Sequence, residues 1–119
     1  MAKSLLIVSR RAPWSGLAAR EALDIALAAG AYDLPVAMLF MDDGVFQLLP
    51  GQQPHAVEVK DLGANLSALP LFGVTDLFAC ALSLEARGVA ASALALKAQV
   101  VSAEGLPSLF NRFDEVITL

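Results

Sequence analysis

Apolar runs of strand length alternate with stretches of helical length along all 119 residues, and that alternation is the pattern of a sheet built from crossover units. Five segments qualify as strands: residues 4–9, 36–41, 77–82, 99–102 and 115–119. Most are continuously apolar, as parallel strands covered on both faces must be. Between the first two, Leu17, Ala18, Glu21, Ala22, Ile25, Ala28 and Ala29 follow helical spacing, so a helix is predicted over residues 16–29, with Ser15 as its N-cap and Gly30 as its stop. A second helical region is expected over 57–72, interrupted by Gly63 and Pro70, and shorter helices over 83–87 and 106–113. The alanine-rich stretch 89–98 reads as a helix or a tight connection. No linker or internal repeat divides the chain, and the expectation is one α/β domain spanning 1–119.

Composition raises the question of where so much apolar surface goes. AVILMFWYC residues make up 57% of the chain and the mean hydropathy is +0.64, against roughly 45–50% apolar in ordinary soluble chains even when glycine is counted. A membrane span is excluded, because no stretch approaches the ~20 uninterrupted apolar residues it would need. Intersubunit contact is the better sink. The segment Asp43-Gly44-Val45-Phe46-Gln47-Leu48-Leu49-Pro50-Gly51-Gln52 points the same way. Turn signals at Gly44 and Pro50-Gly51 flank apolar residues where a polar loop belongs. Val45, Phe46, Leu48 and Leu49 either tuck onto their own domain or form an interface, and they are the interface candidates.

A net charge of −4 with no basic run removes the electrostatic footprint of a nucleic-acid binder. The first eight residues carry one positive charge and an apolar run too short for a signal peptide, so the reading is cytoplasmic. No phosphate-binding glycine motif is present, and no cofactor is expected. Arg10, Arg11 and Trp14 before the first helix form either an anion cradle or a solvated loop. Asp42-Asp43 reads as turn capping before Gly44, not as a metal site. His55, the only histidine, reads as a loop residue. Cys80, the only cysteine, excludes an intrachain disulfide. It lies near the end of the third strand, where a helix starting near Ser83 would favour a thiolate and Glu85 in its first turn would oppose one.

Three segments together, Asp43 to Gln52, Cys80-Ala81-x-Ser83-Leu84-x-x-Arg87-Gly88, and Arg20-Glu21-x-Leu23-Asp24, resemble the TusC/DsrF branch of the DsrE-like sulfur-relay family over effectively the whole chain. The resemblance implies a three-layer α/β/α domain with a mostly parallel five-stranded sheet. It further implies TusB and TusD homologues as partners in a heterohexamer with two copies of each, which relays persulfide sulfur from TusA to TusE for 2-thiolation of the tRNA wobble uridine. In that family the sulfur-carrying cysteine is generally assigned to the TusD-type subunit. Cys80, eight residues before Gly88, occupies the homologous position. Two readings follow: a non-catalytic subunit of the relay complex, or a sulfurtransferase with Cys80 as persulfide carrier. A phospho-receiver reading of the same topology fails, because Arg10 and Arg11 follow the first strand and Cys80 the third, where carboxylates are required.

Overall fold

The computed structural model describes residues 3–14, 16–49, 66–94 and 98–119. Five strands form one sheet in the order β4-β3-β2-β1-β5, and every neighbouring pair is parallel. They are β1 (Leu5–Ser9), β2 (Val36–Phe40), β3 (Asp76–Cys80), β4 (Gln99–Val101) and β5 (Glu115–Thr118). Helix α1 (Ala18–Ala31) follows β1, α2 (Ala81–Ala86) follows β3, and α3 (Leu106–Asn111) precedes β5.

Side chains alternate across a strand, and the core divides accordingly. Ile7, Met38, Phe40, Leu77 and Ala79 pack on one face against Ala19, Ala22, Leu23 and Ala26 of α1. Leu6, Val8, Ala37, Leu39 and Phe78 pack on the other against Leu109 of α3. The expected three-layer α/β/α arrangement is therefore present. Its central strands are buried on both faces, which is why they are legible as unbroken apolar runs.

Several boundaries differ from those expected. The third strand ends at Cys80, and α2 starts at Ala81 within the same apolar run. Helix α1 passes through Gly30 and ends at Ala31, because Gly30 is needed for close packing and not for termination. A Cβ there would collide with the carbonyl oxygen of Phe72 and approach Cγ2 of Val74 to 2.9 Å. Ser15 lies outside the described residues, and Leu17 stands at the N-cap of α1. Of the helical region expected over 57–72, residues 57–65 lie outside the described residues, and Leu69–Phe72 forms a short 3-10 helix. The alanine-rich stretch is a connection containing a 3-10 turn at Ala91–Ala93. Among the described residues no helix is long and apolar enough to cross a membrane.

Candidate functional site

The carboxyl ends of parallel strands are where such folds place their chemistry, and here those ends are laced together by the segment after β2. Asp42–Leu48 is a 3-10 helix. Three residues per turn bring positions i and i+3 onto one ridge, so the segment presents three distinct ridges. Val45 and Leu48 share the first, which is sealed in the core with Leu84 of α2. Gly44 and Gln47 share the second, which lies on the exit of β1. Asp43, Phe46 and the C-cap Leu49 form the third, which faces outward and is exposed at Asp43 and half-buried at the other two.

This geometry corrects half of the interface expectation. Val45 and Leu48 are fully buried within their own domain, so no partner can reach them. Phe46 packs on the ring of Trp14 at 5.4 Å between centroids, and Trp14 itself remains 65% exposed. Pro50, Gly51, Gln52 and His55 lie outside the described residues.

Polar contacts fix the 3-10 segment on both flanks. Gln47 is only 4% exposed, and its Nε2 donates to Ser9 Oγ at 2.7 Å and to the Arg11 carbonyl at 2.9 Å. Its Oε1 is buried with no hydrogen-bond partner among the described residues. Asp42 has left-handed backbone (φ 50°), a conformation Asp tolerates better than most residues. Its N–H donates to Ser83 Oγ at 2.8 Å and its carboxylate pairs with Arg10 at 2.6 Å. Asp43 pairs with Arg87 at 2.8 Å, and Arg87 Nη1 also reaches the Ser83 carbonyl at 3.4 Å. The anion cradle is thus not assembled: Asp42 holds Arg10, and Trp14 stacks on Phe46. The two aspartates pair with arginines, and among the described residues no cluster of three or more His, Cys, Asp or Glu could hold a metal ion.

Ser83 and Gln47 are the positioning residues that sequence reasoning did not single out. One signal was available, since each is a lone polar residue inside an apolar run. The ion pairs are partly exposed and worth at most about 1 kcal/mol each, whereas Ser83 is buried. Ser83→Ala should therefore cost about 1–2 kcal/mol by orphaning the Asp42 N–H, more than Arg10→Ala does. Urea unfolding of both variants measures the difference.

Cys80 ends β3 opposite Val101 of β4 and serves as the N-cap of α2, with extended backbone. Strand alternation turns it to the face of Phe78, and it is 2% exposed. Helix α2 spans only six residues. Because it starts at Ala81, Glu85 falls in its last turn, and the opposition expected from a first-turn carboxylate does not arise.

A wholly parallel sheet in this strand order, with a cysteine closing β3 and a 3-10 segment after β2 pinned by two arginines, defines a small α/β/α domain with its candidate site at the carboxyl ends of the strands. The chain belongs to the DsrE/DsrF-like family, whose model matches residues 3–119. It is 60% identical over its full length, and over the full length of the relative, to a protein TusC homolog of Pseudomonas aeruginosa. It is 39% identical to a protein TusC homolog of Vibrio parahaemolyticus, covering 96% of this chain and 97% of that one. It is 42% identical to protein TusC of Escherichia coli over 87 residues, 73% of each chain. The crystal structure of the ychN protein from E. coli superimposes over the whole of both chains with a TM-score of 0.83 at 22% sequence identity, a likeness of fold.

Proposed function

We propose that this chain is a non-catalytic subunit of a TusBCD-type sulfur-relay complex of the cytoplasm. In this reading it joins TusB and TusD homologues, two copies of each, and supports persulfide transfer from TusA to TusE for 2-thiolation of the tRNA wobble uridine. Full-length likeness to chains named TusC carries the reading. The outward ridge of the 3-10 helix supports it by holding Phe46 and Leu49 half-buried beside an exposed Trp14, where a partner can complete their burial. Mass spectrometry of the complex recovered through a tag on this chain tests the proposal. Two co-purifying homologous subunits are expected. A chain that remains a soluble 12.5 kDa monomer and brings down neither would overturn it.

The alternative makes Cys80 the persulfide carrier. A carrier thiolate must attack the outer sulfur of an incoming persulfide and release the donor's thiolate, which requires both nucleophile and path to be open. Cys80 is buried in the isolated chain, and that favours a supporting role. Cys80→Ser is therefore expected to leave cellular 2-thiouridine near the wild-type level with the complex assembled. Its loss from an assembled complex would make Cys80 the carrier.

A further inference from the structure

The end of the sheet opposite Cys80 carries a second apolar surface that the relay reading does not use. Tyr32 and Leu34, between α1 and β2, and Leu71 and Phe72, in the 3-10 helix ahead of β3, are all exposed, Leu71 to 86% and Tyr32 to 82%. Their backbones are fixed. Tyr32 N–H donates to Ala28 O, Leu34 N–H to Ala29 O and Leu71 N–H to Ala68 O, at 2.9 to 3.2 Å, and the two segments touch where Gly30 meets the Phe72 carbonyl. Four large side chains are thus held at the surface by an ordered scaffold, as a docking surface requires.

Charge selects the occupant. Asp33 projects from the same turn as Tyr32 and Leu34, and Asp76 opens β3 beside β2. Neither has an ion-pair partner among the described residues. The described basic residues at this end are engaged elsewhere: Lys3 pairs with Glu115, and Arg112 lies over the rings of Phe78 and Phe113. A second copy of this chain would bring a matching acidic rim against this one, and like charges across an interface are unfavourable. We propose that Tyr32, Leu34, Leu71 and Phe72 dock a protein surface of apolar side chains rimmed by lysine or arginine, and that this surface belongs to one of the homologous subunits. The inference rests on the relay-complex reading and adds to it a contact at the amino end of the sheet. The strand β3 separates that contact from Cys80 by about 13 Å, so docking there leaves the cysteine end free for sulfur donors and acceptors.

The test is co-expression with the TusB and TusD homologues, with affinity measured at low and high salt. Tyr32→Ser with Leu71→Ser removes the anchors without touching the core, and co-recovery is expected to fall at least about tenfold, as loss of central aromatic and aliphatic contacts does. Asp33→Asn with Asp76→Asn removes the rim charge, and Asn tolerates the left-handed backbone of Asp33 (φ 61°). It should weaken binding by about threefold at low salt and have no effect at high salt. Wild-type binding by both variants, or tighter binding by the neutralised one, would overturn the inference while leaving the relay complex intact. A wild-type chain that dimerises alone and becomes monomeric on Tyr32→Ser with Leu71→Ser would name a second copy as the occupant and overturn it too. Failure of the wild type to recover either homologue would remove the relay reading, and this inference with it.

Discussion

Leu48→Asp is expected to unfold the domain, whereas Leu49→Asp one residue later should leave it folded. Leu48 lies on the 3-10 ridge that packs under α2, is fully buried, and shares its cluster with Val45, Phe40 and Leu84. Truncating such a leucine costs about 2–5 kcal/mol. A carboxylate in its place adds the several kcal/mol needed to bury an unpaired charge. Total stability of a domain this size is only about 5–15 kcal/mol, so the variant should lose its far-UV circular dichroism and its cooperative melt. Leu49 faces outward and is only partly buried, so its aspartate keeps the fold at a cost of about 1 kcal/mol. If Leu48→Asp melts cooperatively near the wild-type temperature, the ridge assignment is wrong and Leu48 returns to the list of surface residues.

The second large effect is expected at Gly44. A Cβ at this position would run into the Ser9 carbonyl oxygen, with the Ser9 carbonyl carbon at 2.8 Å and the Arg10 Cα at 3.3 Å. All three are backbone atoms at the exit of β1, where the Met41 N–H donates to the Ser9 carbonyl oxygen and the Arg10 N–H to the Leu119 carbonyl oxygen, so no side-chain rotation relieves the clash. Gly44→Ala should cost about 2–3 kcal/mol, the range for forcing extra volume into a packed site, and lower the melting temperature by about 10 °C. It should also pull Gln47 from Ser9, since both contacts lie on the same ridge. Gly88→Ala is the control. Gly88 has a positive φ of 64° but open space where the Cβ would go, so only the backbone cost of about 1 kcal/mol remains. Equal destabilisation of the two variants in urea would show that close approach is not what Gly44 provides.

Much of the architecture was legible because burial on both sheet faces writes itself into residue type. Leu6, Ile7 and Val8, or Met38, Leu39 and Phe40, can be consecutive and apolar only if both faces of the strand are covered. Such runs therefore gave the approximate positions of the three central strands, β1, β2 and β3. The same signal failed where β3 passes into α2, because Ala81 and Leu82 continue an apolar run whose period does not distinguish strand from helix. It misled at Gly30, where glycine answers a neighbour 42 residues away, Phe72, and not the end of its own helix.

The candidate site divides along the same line. Sequence by itself determined the class of fold, the family resemblance, and the presence of an apolar segment at residues 45–49 that had to be covered, since those follow from local composition and spacing. It could not determine which of those residues face inward. That depends on the segment winding with three residues per turn, and on two contacts distant in sequence, Gln47 with Ser9 and Asp42 with Ser83. Only the tertiary structure turned Val45 and Leu48 into the core and left Phe46 and Leu49 outside. It likewise buried Cys80, whose position at a strand end was readable in the sequence but whose access to solvent was not. Solvent access belongs to the packed molecule as a whole, and no window of residues around Cys80 encodes it.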